Sequence, residues 1–156
     1  MIEIAIPGAE KLSLKYLVMD YNGTLAIDGK LITGVKEGLE ALSDRLESFV
    51  VTADTFGKAR SELEGLPCEL TVLPQGAQDI GKLEYIKRLG CESTVCIGNG
   101  RNDRLMLKES ALGIAVVLEE GAAMDTVLAA DIVCTSIVSA LDLLANPLRL
   151  VATLRC

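Results

Sequence analysis

Three clusters of polar residues sit where apolar runs end. Asp20-Tyr21-Asn22-Gly23-Thr24 follows residues 16–19, Thr52-Ala53-Asp54 follows 49–51, and Gly98-Asn99-Gly100-Arg101-Asn102-Asp103 follows 94–97. Lys82 lies between the last two. The chain has no histidine, which removes Ser-His-Asp and Cys-His catalysis and every His-ligated metal site. Chemistry must rest on carboxylates, lysine, hydroxyls and backbone amides, with a hard, oxygen-bound cation as the fitting metal. A carboxylate directly after a buried strand lies at the edge where α/β sheets bind ligands. The glycines let backbone turn tightly and approach a ligand closely. Each cluster also has a plainer reading. Asn22-Gly23 between apolar runs is a hairpin-turn signal. Asp54 or Thr55 suits the cap of a following helix. Gly98 to Asp103 reads as a glycine-rich strand-to-helix loop, and Lys82 as a solvated helix lysine.

The elements that must position these residues alternate along the chain. Residues 2–6 and 12–14 alternate with period two around Pro7-Gly8, as an antiparallel hairpin does. Strands are predicted at 16–19, 49–51, 69–73, 94–97, 112–118 and 131–134. Helical stripes cover 34–46, 56–63, 78–89, 102–109, 122–129 and 137–144. In 78–89 the stripe is Ile80, Leu83, Ile86 and Leu89, and Gly90 closes the helix. Pro147 separates off a short tail. Strand-helix alternation with short loops predicts one α/β domain with a mostly parallel sheet and helices on both faces.

The bulk properties narrow the function further. The net charge is −7, there is no basic run, and Trp is absent, which argues against nucleic acid as a partner. Half of the residues are apolar, yet the longest apolar stretch, 112–118, is too short to span a bilayer. The first ten residues lack the basic-then-apolar order of a signal peptide. Five cysteines, an odd number without a CxxC pair, read as small buried residues of a reducing compartment. The expectation is a cytoplasmic protein with no membrane partner.

Taken in order and together with Lys82, the clusters resemble the four motifs of the haloacid dehalogenase-like (HAD) superfamily of phosphotransferases. Asp20 to Thr24 resembles the first motif, Thr52 the second, Lys82 the third, and Gly98 to Asp103 the fourth. Gly98-x-Gly-x-Asn102-Asp103 with Leu105-Met106-Leu107 is similar to the P-type ATPases and their soluble relatives. The resemblance implies a three-layer Rossmann-like fold. It implies that Asp20 attacks phosphorus and becomes an aspartyl-phosphate, in a hydrolase that acts on a phosphorylated substrate. The Asp20 carboxylate and the Asn22 carbonyl would bind Mg²⁺, with Asn99 and Asp103 completing the metal site. Thr24, Thr52 and the backbone amides of Gly23 and Ala53 would meet the phosphate, and Lys82 would offset its charge.

Two residues depart from the family pattern. Asn22 stands where HAD phosphatases carry the Asp that protonates the leaving group and then activates water. An amide cannot exchange a proton that way, so turnover is expected to be slow, or the domain to have a regulatory or binding role. Asn99 stands where a metal-binding Asp is usual, which removes a charge from the metal site. Both precede glycine, the context most prone to deamidation; two encoded asparagines that stay Asn are the simpler reading. Only 31 residues separate Asp20 from Thr52, and 29 separate Thr52 from Lys82. Neither gap holds a cap domain or a nucleotide-binding insert. A capless site is open to water, and the N-terminal hairpin is expected to serve as a contact in a homo-oligomer.

Overall fold

The computed structural model describes all 156 residues. The chain opens with β1 (Ile2–Ile4) and β2 (Leu12–Leu14), paired antiparallel with Ile2 opposite Leu14. It continues through β3 (Tyr16–Met19), the small hairpin β4 (Ala26–Ile27) and β5 (Lys30–Leu31), α1 (Val35–Leu42) and β6 (Glu47–Thr52). Next come α2 (Ala59–Glu62), β7 (Glu69–Val72), α3 (Gln78–Leu89) and β8 (Thr94–Gly98). A single 3₁₀ turn at Arg101–Asp103 leads into α4 (Arg104–Glu109), β9 (Leu112–Val116), α5 (Met124–Ala129), β10 (Ile132–Cys134), α6 (Ile137–Ala145) and α7 (Pro147–Leu154).

Six strands form one sheet in the order β10-β9-β8-β3-β6-β7, parallel throughout. After β3 the chain builds outward to one side through β6 and β7. It then crosses back and builds outward to the other side through β8, β9 and β10. The order reverses between β3 and β8, and the crevice beyond such a switch point is where these sheets bind ligands. Asp20, Thr52 and Gly98 all fall at that edge, on three adjacent strands.

The central strands β3, β6, β8 and β9 are buried on both faces, whereas the edge strands β7 and β10 are partly exposed. Leu17, Met19, Val50, Val95 and Ile97 join a large cluster with α1, α6 and the N-terminal hairpin. Val18, Val51 and Cys96 point the other way, into a smaller cluster with Ile86, Met106 and Leu107. This is the period-two alternation of a strand seen from both sides. The expected three-layer Rossmann-like architecture is therefore present, with helices on both faces.

Several local expectations need correction. The helix expected at 56–63 is only Ala59–Glu62, because Gly57 is held at φ 67° and Asp54 at φ 49°. Asp54 still covers its start, accepting from the amides of Lys58 and Ala59 at 3.0 Å each. The tail after Pro147 is a helix, started by proline in its first turn. In α3 the bounds are as expected, and Leu83, Ile86 and Leu89 of the expected stripe pack into the smaller cluster; the departures are Ile80 and Lys82. Ile80 is exposed, while Lys82 and Ile86, one turn apart, are fully buried. The tight hairpin turn of this region is Asp28-Gly29, with φ 52° and 78°; positive φ at both central residues is the type I′ pattern. The Tyr21 hydroxyl donates to the Gly29 carbonyl at 2.9 Å and fixes this flap over the core. Asn22-Gly23 lies in the loop between β3 and the flap. The flap and α1 are all that separates β3 from β6, so no cap is folded there.

The N-terminal hairpin turns its apolar face inward. Ile2, Ile4 and Leu14 are buried in the large cluster, and the outer face carries the Glu3–Lys11 ion pair. No single helix is long and apolar enough to cross a membrane.

Candidate active site

The centre of the site is a buried triad of charges. Asp20 leaves the end of β3, and its amide donates to the Ile97 carbonyl of β8 at 3.0 Å. Lys82 reaches across from α3, and its Nζ donates to Asp20 Oδ1 and to Asp103 Oδ1, both at 2.6 Å. Lys82 and Asp103 are fully buried, and Asp20 retains 7% exposure. Asp103 Oδ2 accepts from the amides of Asn99 and Gly100 at 2.9 Å each. The loop can wrap the carboxylate this closely only because residue 98 is glycine. A Cβ there would lie 2.5 Å from the Asp103 carboxyl carbon.

The electrostatics follow from this geometry. Burial pushes the Asp20 carboxyl up to about 6, the Asp103 carboxylate adds to the rise, and Lys82 opposes it. Burial alone would lower the Lys82 ammonium, but Asp103 and Asp20 outweigh it and hold the lysine above its ordinary range. The lysine is therefore charged at every physiological pH, between two carboxylates that repel each other.

The remaining residues brace or border this triad. Thr52, 2% exposed, ends β6, the strand beside β3. Its Oγ1 accepts from the Asp54 amide at 3.0 Å, which leaves its hydroxyl proton to give elsewhere. Ala53 follows it at the edge. Thr24 is fully buried and donates to Asn99 Oδ1 at 3.2 Å, tying the loop after β3 to the loop after β8. Asn99 Nδ2 donates to the Gly121 carbonyl at 3.0 Å. The Gly23 amide, expected to face phosphate, donates instead to the Ala26 carbonyl at 2.8 Å. What Gly23 contributes is space and a φ of 77°. Asn22 Oδ1 is buried without a hydrogen-bond partner. Arg101 is solvent-exposed and paired with Asp125.

Two braces had no marker in the sequence. Thr126 of α5, fully buried, donates to the Gly100 carbonyl at 2.7 Å. The Ala123 amide donates to the Asn99 carbonyl at 2.8 Å. The only available signal was a lone threonine on a short helix.

The oxygens at this edge are hard donors: the Asp20 carboxylate and the buried, unpartnered Asn22 side-chain oxygen, while the Asn99 oxygen is taken up by Thr24. No three Asp, Glu or Cys side chains converge closely enough to hold a metal by themselves. That donor set fits Mg²⁺, which takes one or two carboxylates and keeps several waters. The unpartnered Asn22 oxygen adds a buried acceptor, which is costly to leave unsatisfied.

No protein-family model matches the chain. An uncharacterized protein of Methanocaldococcus jannaschii, MJ0073, is 46% identical over 84 residues, spanning 51% of this chain and 90% of that protein. The chain belongs to the family of that archaeal protein. Among solved structures, 3-deoxy-D-manno-octulosonate 8-phosphate phosphatase from Moraxella catarrhalis, in complex with magnesium, phosphate and KDO, is similar with a TM-score of 0.71 and 19% identity, over 91% of this chain and 94% of that one. A protein of Streptomyces avermitilis described as a HAD family hydrolase is similar with a TM-score of 0.65 and 21% identity, over 84% of this chain and 80% of that one. At these identities the likeness is one of fold, and the fold is that of the HAD hydrolases. In this HAD fold the sheet edge carrying Asp20 is the edge that the fold itself singles out for ligands.

Proposed function

We propose that this chain is a divalent-cation-dependent phosphohydrolase that works through an aspartyl-phosphate on Asp20, with Mg²⁺ as the cation. The observation that carries the reading is Lys82, fully buried and 2.6 Å from both Asp20 and Asp103. Burying three charges at a strand edge is expensive, and a hydrophobic core would have no use for them. A nucleophilic carboxylate facing a phosphoryl group does need a fixed cation beside it.

In the first step an Asp20 carboxylate oxygen attacks phosphorus, and the bond from phosphorus to the leaving-group oxygen breaks. In the second, water attacks phosphorus, phosphate leaves, and the Asp20 carboxylate is restored. Lys82 offsets the charge gathered at Asp20 and the phosphoryl oxygens in both steps. Thr52 offers its hydroxyl proton to one of those oxygens. The cation, held by Asp20 and the Asn22 carbonyl, would neutralise phosphoryl charge. Asn22 cannot pass a proton, so the leaving group and the attacking water must exchange protons with solvent. Positioned general acid-base catalysis is worth about 10²- to 10⁴-fold, so turnover is slow and the phospho-enzyme long-lived. A second reading is a regulatory or binding domain that retains the fold. Asn99 favours it, because both ends of its amide are committed to Thr24 and Gly121.

Incubation with Mg²⁺ and acetyl phosphate or p-nitrophenyl phosphate, followed by intact-mass and phosphate-release measurements, separates the two. The expected result is an adduct on Asp20 and slow release, both abolished by Asp20→Asn in a folded protein. Absence of adduct and release across several donors would favour the binding domain.

A further inference from the structure

The reading of a cation at Asp20 leaves a deficit of negative charge. Asp103 is fully buried, with one oxygen held by Lys82 and the other by two backbone amides. Asn99 is neutral. Asp20 is left as the one acidic group of the four motifs that still faces the cleft.

A further carboxylate stands at the same edge. Glu120 follows β9 in a turn closed by the Gly121 amide on the Leu118 carbonyl at 2.9 Å. That turn is tied to Asn99 on both sides: Gly121 accepts from the Asn99 side chain, and Ala123 donates to its carbonyl. The Glu120 carboxylate reaches over Gly23. A Cβ on Gly23 would lie 2.7 Å from Glu120 Oε2 and 2.4 Å from Asn99 Nδ2. The loop after β3, the neutral Asn99 amide and the Glu120 carboxylate therefore meet at one point. Glu120 has no salt-bridge partner. Its charge is uncommitted beside a residue that lacks one.

We propose that Glu120 supplies the anionic charge that Asn99 does not, and that it binds the water shell of a divalent cation seated at Asp20. The inference rests on the cation reading above. An outer role suits the geometry, because no three carboxylates converge on one ion and Mg²⁺ retains much of its water. Partners that act on a metal through its ligands or waters typically change its affinity by about 10- to 100-fold.

The test is calorimetric titration of the full chain with Mg²⁺, without substrate. Glu120→Gln is exposed and should fold normally; it is expected to weaken binding about tenfold. Glu119→Gln, its exposed neighbour of equal charge, should bind as the wild type does. Asn99→Asp in the Glu120→Gln background should restore affinity. Unchanged binding in Glu120→Gln, with binding lost in Asp20→Asn, would overturn this proposal and leave the cation reading intact. An equal loss in Glu119→Gln would overturn it by assigning the effect to general surface charge. No Mg²⁺ binding by the wild type would overturn it together with the reading it rests on.

Discussion

Asn22 sits two residues past Asp20, with its side-chain oxygen buried and unpartnered. An aspartate there would have the same shape and could pass a proton. Asn22→Asp is therefore expected to shorten the lifetime of the Asp20 phosphate adduct and to raise turnover, by up to about 10²- to 10⁴-fold. Single-turnover decay of the adduct, followed by mass, measures this directly; an unchanged decay would mean that proton transfer does not limit the second step. Deamidation is a poor route to the same change. Succinimide closure needs the following amide nitrogen free, and both are engaged: Gly23 donates to Ala26, and Gly100 to Asp103. The geometry favours two asparagines that are encoded and persist. Lys82 shows the other side of residue-scale reading. Its type and position fitted a family motif, but nothing local marked it as buried.

At the scale of elements, the N-terminal hairpin is part of the core. Ile4, 2% exposed, lies in the same cluster as Leu17 and Met19 of β3. Ile4→Ala should cost about 2–5 kcal/mol, the range for truncating a buried isoleucine; a loss below 1 kcal/mol in denaturant unfolding would show a detachable hairpin instead. The period-two pattern made this hairpin legible in the sequence, but not the direction its apolar face turns. The central parallel strands were legible for a related reason: β3, β6 and β8, buried on both faces, read as short apolar runs ended by glycine or a polar residue. Helix α3 was legible in extent and in most of its stripe, since Leu83, Ile86 and Leu89 pack into the core. What hydropathy did not mark is that Lys82 is buried and Ile80 exposed. A lysine enters the interior only when its partners are there, and Asp20 and Asp103 lie 62 and 21 residues away along the chain. Hydropathy has no term for that pairing. The braces from Thr126 and Ala123 are equally long-range, and equally silent in the sequence.

For the whole molecule, the proposed cation at Asp20 would couple binding to pH and to stability. Without a cation, burial and Asp103 raise Asp20 from 3.8 to about 6. A raised carboxylate costs folding free energy. The cost is absent below about 3.8, where both states hold the proton, grows as pH rises, and is complete above about 6. A divalent ion on Asp20 relieves that cost and binds only the ionised form. Stabilisation by Mg²⁺ should therefore be greatest at neutral pH and fade as pH falls through about 6. Thermal unfolding at graded Mg²⁺ gives the apparent affinity at each pH. It is expected to be flat from pH 8 to 7 and to weaken about tenfold per unit well below 6. Asp20→Asn should abolish both the binding and its pH dependence. An affinity that stayed level down to pH 5 would mean that the ion does not sit on Asp20, and the charge triad would then need a purpose other than phosphoryl transfer.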